Sequence, residues 1–415
     1  MARVLPDTSP LRASREYRLL WSGQLVSQAG SALRLVAVPY QIYLLTGSSL
    51  AVGLIGLFSA GPLIAFSLFG GVIADRVDRR RLLLVTQTCL ALVSAALALA
   101  TALGVVSVPL LYALTAIGAG FGALDQPARS ALAPSLLERR LIPAAMALNQ
   151  MGWRTGSIVG PALGGVVIAS FGLAWAYWID VATFVVAIVA LAIMRIPAFV
   201  PSPERPHVLR SLREGLAFLV ARPLLFATMG VDFCATLFGT TRALMPYFAD
   251  RVFHVGPEGL GLLYAAPGIG ATAVVLTSGW TAGIQRKGLA VLVAIGIFGL
   301  ANAAFAFVPS GAFLAACALL AIAEGADSVS VVFRHTILQM ETPDALRGRL
   351  SSINTIFVAG GPQLGQVESG FVADALSPEL AIAAGGLVCV GAVLAAATAV
   401  PQIARYRADV VATST

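Results

Sequence analysis

The fold turns on the stretch GVIADRVDRRR, Gly71–Arg81. It places Asp75, Arg76, Asp78, Arg79, Arg80 and Arg81 in one short connection. The apolar runs on either side, 49–74 and 82–104, are each long enough to cross a ~30 Å hydrocarbon core as a helix that satisfies its own backbone hydrogen bonds. Two such runs joined by so short and basic a turn predict a helical hairpin with its turn on the cytoplasmic side.

Further apolar runs lie outward from this hairpin, at 19–45, 107–130, 146–170 and 173–194. After a break they resume at 223–248, 258–283, 288–308, 311–334, 350–373 and 378–401. The 415 residues are 58% hydrophobic and 11% charged, with a mean hydropathy of +0.87. A soluble globular chain is about one quarter charged, so this composition excludes a soluble enzyme, a coiled coil and a disordered protein. At ~20 residues per span plus short turns, about twelve spans fit. The expected fold is an all-α integral membrane protein.

The cations follow the same plan. They cluster in the tail (Arg3, Arg12, Arg15, Arg18), after span two, after span four (Arg129, Arg139, Arg140) and in mid-chain (Arg195, Arg205, Arg210, Arg213, Arg222). Later groups are Arg286 with Lys287, then Arg334, Arg347 and Arg349, and finally Arg405 and Arg407. Only Arg251 falls in a loop of opposite side. This asymmetry places both termini in the cytoplasm of a multi-pass protein of the inner (cytoplasmic) membrane. A net charge of +7 spread over loops forms no nucleic-acid face. Cys89, Cys234, Cys317 and Cys389 lie in apolar runs without metal or disulfide spacing. His207, His254 and His335 fall in loops or span ends. The first apolar run is too long and polar-flecked for a signal peptide. Trp175, Tyr177 and Trp178 mark an outer interface. No phosphate-cradling G-x-x-x-x-G-K-[ST] loop occurs, so neither ATP-driven transport nor a cofactor is expected.

The chain repeats. Gly160-Pro161-x-Leu163-Gly164 in span five matches Gly361-Pro362-x-Leu364-Gly365 in span eleven, and Pro39-Tyr40 matches Pro246-Tyr247. Pro62 pairs with Pro267, Arg129 with Arg334 and Asn149 with Asn354, all at nearly one offset close to half the chain. Two six-helix halves in parallel repeat, 1–194 and 223–415, are the reading, on a transporter plan. They are joined by a cytoplasmic linker, 195–222, rich in proline and carrying an amphipathic stretch, Val208–Val220.

The Gly71–Arg81 stretch resembles the loop signature of the major facilitator superfamily, G-x-x-x-D-R-x-G-R-R. Asp78 stands where that family usually has glycine. Gly156-x-x-x-Gly160-Pro161-x-x-Gly164-Gly165 resembles the later part of the antiporter motif of the superfamily's exporters, with Ala147 in place of the motif's first glycine. Leu45–Gly53 and Asp125–Ser130 look most like the enterobactin-exporter and macrolide-efflux branch. The resemblance covers essentially the whole chain. It implies twelve spans in two pseudo-symmetric halves, a central cavity lined by spans one, four, seven and ten, and a monomer. It also implies gating by Gly71, Asp75, Arg76, Arg79, Arg80 and Arg129, where Asp75 would latch onto Arg129. Bending would fall at Gly156, Gly160, Pro161, Gly164, Gly165, Gly361 and Pro362.

Charges inside spans are costly and mark function by default. Asp232 lies near the middle of span seven. Glu324 and Asp327 share a face of span ten at i,i+3. These three are the proton-coupling candidates, since a carboxylate removed from water takes up a proton more readily. The bland alternative for each is a permanent ion pair with an arginine. Arg34, Arg154, Asp125 and Arg242 are the substrate or cavity candidates. Structural pairing is the alternative for Arg34 and Arg154, and an i,i+4 pair with Arg129 for Asp125. Asp180 falls in the outer third of span six.

Taken together, these readings predict secondary export of a small amphipathic or anionic organic compound, a siderophore or drug, by proton antiport and alternating access. A nutrient importer, a lysophospholipid flippase and a non-transporting receptor are the alternatives. Small-molecule cargo, protons and the lipid bilayer are the expected partners.

Overall fold

A computed structural model describes residues 7–195 and 208–407. Among the described residues there is no β-strand, and twelve helices of 16 to 32 residues dominate. They are α1 (Arg15–Thr46), α2 (Ser49–Arg76), α3 (Arg79–Ala102), α4 (Val108–Leu132), α5 (Ile142–Phe171) and α6 (Leu173–Ile193). After the amphipathic linker helix Val208–Val220 come α7 (Pro223–Phe238), α8 (Gly256–Thr277), α9 (Lys287–Phe305), α10 (Phe313–Glu341), α11 (Asp344–Ala375) and α12 (Pro378–Ala399). Residues 196–207 of the expected linker, His207 among them, lie outside the described residues.

Ten segments, with α7 counted together with the turns that follow it to Val252, are long and apolar enough to cross a membrane. The other two, α1 and α11, are 32 residues each and amply long. They miss on composition because Gln24, Gln28, Arg34 and Gln41 punctuate α1, and Gln363, Gln366 and Glu368 punctuate α11. Polar residues on a spanning helix belong where they meet protein or a polar cavity rather than lipid.

Outward faces elsewhere are apolar. Val185, Val189 and Ile193 recur every four residues on α6, each about half exposed, and Val85, Leu92 and Leu99 recur every seven on α3, each at least half exposed. Continuous exposed stripes of this kind suit a lipid environment. Of the interface aromatics, Trp175 and Trp178 are exposed, but Tyr177 is turned fully inward and its hydroxyl donates to Gln41 Oε1 at 2.7 Å.

The chain forms two compact units. One comprises residues 1–47, 57–204 and 255–265; the other comprises 48–56, 205–254 and 266–415. In the first, α6 packs on α1 and α3, while α5 packs on α1. In the second, α9 packs on α10 and α12, and α11 packs on α7.

The glycine motifs explain the closest of these approaches. A Cβ at Gly160 would collide with the Cβ of Ala32, and one at Gly164 would lie 3.2 Å from the Leu33 Cα, so α5 runs almost backbone to backbone against α1. A Cβ at Gly165 would come 3.0 Å from the Gly261 Cα. Gly361 and Gly365 of α11 meet Thr236 and the Leu237 carbonyl of α7 in the same way. Small residues let helices approach where lipid gives no hydrophobic drive to pair them. Gly160→Leu is therefore expected to destabilise by ~1–3 kcal/mol through overpacking. Ala32→Gly in the same chain should return part of the loss. A melting curve of purified protein reads both, and an unchanged midpoint for Gly160→Leu would refute the packing account.

Span seven corrects an expectation. The apolar run 223–248 reads as one helix, but α7 ends at Phe238 with Gly239 as its cap. A 3-10 turn (Arg242–Leu244), one helical turn (Met245–Tyr247) and a π-turn (Phe248–Val252) follow. Thr240 and Thr241 disfavour continuing the helix, and Pro246 lacks the N–H that would bond back across the break.

Candidate functional site

The first unit holds a half-open cavity of about 540 Å³. Its walls come from α1 (Gln24, Gln28), α3 (Gln87), α4 (Asp125, Gln126, Arg129) and α5 (Asn149, Gln150, Trp153), with Phe184 of α6. Amides dominate. The two charges there satisfy each other, as Arg129 donates through Nε and Nη2 to Asp125 Oδ2 at 3.0 and 2.8 Å. The i,i+4 spacing on α4 makes this local pairing natural. Asp125 Oδ1 accepts from Thr86 Oγ1 at 2.9 Å and Gln87 Nε2 at 2.8 Å. Gln87 is 1% exposed, and nothing among the described residues donates to its Oε1.

Arg34 does not stand alone. Its Nε lies 3.7 Å from Oδ2 of Asp180, which is 0% exposed on α6. Ser94 of α3 donates to that same Oδ2 at 2.6 Å, and Ser31 of α1 to Oδ1 at 3.5 Å. One carboxylate thus ties α1, α3 and α6 together. Arg154, on α5, has no carboxylate partner among the described residues; its guanidinium lies 5.9 Å from the Trp153 ring centroid.

In the second unit the charges converge on Arg334. The sequence reads this arginine as a loop cation, but it sits within α10 and its side chain is 12% exposed. It pairs with Asp232 of α7, and its Nη2 lies 3.5 Å from Asp327 Oδ1, two turns back on its own helix. Glu324 is half-buried one turn from Asp327 and has no ion-pair partner among the described residues. Two carboxylates therefore share one cation, with a third nearby. Arg242 lies apart from them in sequence, in the 3-10 turn after the break in span seven.

The surroundings of Gly71 and the side chains of Asp75 and Arg76 lie outside what is described, so the expected Asp75 latch is not among the contacts seen. Asp78, where the superfamily signature has glycine, caps α3 by accepting the Arg81 N–H at 3.0 Å, with a φ of −54° that requires no glycine. Arg79 donates to the Ala131 carbonyl at 3.0 Å, and Arg80 to the Leu191 carbonyl at 2.9 Å. The two arginines cap the C-terminal ends of α4 and α6, where cations meet unpaired carbonyls and the negative end of the helix dipole.

Sequence reasoning passed over Arg334 and Gln87. The repeat match of Arg334 to Arg129 was the available signal for the first. Gln87 offered none, since a single glutamine in an apolar run is unremarkable without its neighbours.

Comparisons with known proteins agree with this architecture. Over residues 6–413 the chain matches the family model described as "Transmembrane secretion effector". It is 31% identical over 395 residues to the enterobactin exporter EntS of Shigella boydii serotype 18, covering 94% of this chain and 93% of that protein. The same figures hold for EntS of Citrobacter koseri. Among solved structures, the POT family transporter PepTSo superposes with a TM-score of 0.75 at 14% identity, covering 94% of this chain and 98% of that one. A bacterial homologue of the lysosomal transporter Spinster gives 0.67 at 17% identity, with 94% and 97% covered. At such identities these structures speak for the fold alone. With the family model spanning nearly the whole chain, the Gly-Pro crossings repeated in both halves and the basic hairpin in place, this chain belongs to the transmembrane secretion effector family of major facilitator transporters.

Proposed function

We propose that the protein exports a small amphipathic or anionic organic compound of the siderophore type, in exchange for protons, by alternating access. All twelve long segments cross the inner membrane in this reading, both termini face the cytoplasm, and a monomer is the working form. The observation that carries the cargo class is the identity with enterobactin exporters along 94% of the chain, which runs through both halves and is not confined to one motif.

The charge arrangement supports proton exchange. Around Arg334, the acids Asp232, Asp327 and Glu324 outnumber the cation, and a net negative cluster in lipid is costly unless protons neutralise it. The first unit differs: Arg34 has Asp180, and Arg129 has Asp125. The proton site is accordingly assigned to α7 and α10.

Flux of enterobactin in proteoliposomes under an imposed pH gradient tests the reading. Wild-type protein should accumulate it against its concentration gradient. Asp232→Asn should retain binding and lose gradient-driven accumulation, and Glu324→Gln should weaken the coupling. Flux that ignores the pH gradient, and is unchanged in both variants, would reject antiport and leave a facilitator or flippase.

A further inference from the structure

We propose that the linker-side rim of the second unit binds the headgroups of anionic phospholipids, with the helix Val208–Val220 lying in the headgroup layer as its anchor. The leaflet concerned is the cytoplasmic one in the proposed orientation.

The inner face of this helix is committed to its own unit. It lies on α7 and α11. Gly215 is buried, Leu219 is 1% exposed, and Phe218 packs on the same core cluster. The outer face is not the polar surface that water would favour. Arg213, Leu216, Ala217 and Val220 stand at i, i+3, i+4 and i+7 and share that face. All four are exposed, Leu216 by 48% and Val220 by 59%. Phe226, in the first turn of α7, is 53% exposed and continues the apolar surface onto the spanning helix. Apolar exposure of this kind is costly in water and favourable at a lipid boundary.

The flanking charge selects the lipid. Arg213 and Arg222 bracket the apolar residues, and the Arg222 guanidinium lies 5.4 Å from the Phe218 ring centroid, which holds it at the surface. Arg286, at the start of α9, and Arg405 and Arg407, after α12, belong to the same side. Two spans separate Arg222 from Arg286 and four separate Arg286 from Arg405. Packing agrees, since the segment Pro401–Arg405 touches both α7 and α9. All five arginines are exposed, and no guanidinium among them has an ion-pair or hydrogen-bond partner among the described residues. Glu214 and Glu341, the acids on this side whose side chains are described, each already have one.

Unpaired cations beside apolar anchors suit a phosphodiester that carries no balancing ammonium. Each arginine near the membrane surface favours an anionic lipid by about fivefold. Trp280, 49% exposed in the connection between α8 and α9, is a residue type that settles at the headgroup level. A nucleic acid would meet the cations but leave Leu216, Val220 and Phe226 in water, so lipid is the occupant.

The test is native mass spectrometry of the full chain in detergent. The probes are dioleoyl phosphatidylglycerol, dioleoyl phosphatidylcholine and the chainless headgroup glycerophosphoglycerol. The two lipids carry the same chains, so a difference between them reads headgroup charge. Wild-type protein should retain the phosphatidylglycerol at least about fivefold better. Arg213→Gln/Arg222→Gln/Arg405→Gln should reduce that preference to about twofold or less. Arg12→Gln/Arg81→Gln/Arg139→Gln takes three exposed cations from the first unit and should leave it intact. Leu216→Gln/Val220→Gln should weaken retention of both lipids. Excess glycerophosphoglycerol should displace neither.

Equal retention of the two lipids by wild-type protein would overturn the proposal, and that comparison needs no variant to fold. Equal losses in the two triple variants would overturn it in favour of a general effect of net charge. Retention untouched by Leu216→Gln/Val220→Gln, or displacement by glycerophosphoglycerol, would remove the lipid anchor and leave a site for free phosphates. Displacement of phosphatidylglycerol by a short RNA would assign the rim to nucleic acid instead.

Discussion

Arg334→Ala is expected to lower stability by ~3–5 kcal/mol, the usual consequence of removing one partner from a buried ion pair, and to abolish transport. Arg334 is 12% exposed and Asp232 5%, so neither charge has water to fall back on. Without the guanidinium, Asp232 and Asp327 face each other across α7 and α10 with no cation between them. Arg334→Lys should recover only part of the loss, because a single ammonium cannot reach two carboxylates on separate helices as a planar fork does.

The diagnostic comparison is Arg334→Ala combined with Asp232→Asn. That pair removes the stranded charge with the cation and should melt well above Arg334→Ala alone, giving a large interaction energy in a double-mutant cycle. Asp327→Asn in the same background should rescue less, since its contact with Arg334 is the longer of the two. An Arg334→Ala protein that melts like wild type would show the cluster to be solvated. Rescue by Asp327→Asn alone would move the dominant pair to α10.

The same cluster shows how far the sequence could be read. Asp232, Glu324 and Asp327 stand out because an acid in an apolar run has no cheap explanation, and the structure gathers Asp232 and Asp327 at one arginine. That arginine was hidden by its position. It closes the apolar run 311–334 and is followed by polar residues, so it reads as a loop cation, whereas α10 continues to Glu341. A run of hydropathy ends where lipid exposure ends, but a helix ends where its backbone bonding does, and α10 outlasts its apolar stretch by two turns.

The break after Phe238 escaped for the converse reason. The sequence stays predominantly apolar beyond Phe238, as far as Phe248, while the helical backbone bonding ends at Gly239. The Gly-Pro crossings were legible because their cause is local: glycine at four-residue spacing marks a close approach whatever the partner. Which helix would be the partner was not, since nothing in the α5 residues names Ala32. The cavity's amides were invisible as a group for the same reason. They come from separate helices and acquire meaning only when Gln87 is seen holding Asp125 with one end of its amide.

Removal of either member of the Arg34–Asp180 pair is expected to destabilise, and to do so unequally. Asp180 is 0% exposed, while the Arg34 side chain keeps 21% of its surface. Arg34→Ala leaves a fully buried carboxylate whose remaining help is the hydroxyls of Ser94 and Ser31. A loss of ~3–5 kcal/mol follows if it stays charged, reduced to the extent that it takes up a proton. Asp180→Ala leaves a long, partly exposed cation that can move its head toward water, so its loss should be smaller, on the order of 1–3 kcal/mol for the contacts forfeited. It also removes the acceptor that joins α1, α3 and α6.

The double variant Arg34→Leu/Asp180→Leu leaves no charge behind and should melt above Arg34→Ala, because apolar replacements for a buried pair are often neutral or better. Two further readings separate structure from transport. If the pair only fastens helices, the stable double variant should retain gradient-driven flux. If Arg34 must leave Asp180 during the cycle, the double variant should fold and bind yet fail to move cargo. Equal melting of the two single variants would refute the asymmetry, and with it the assignment of Asp180 as the buried member on which the three helices close.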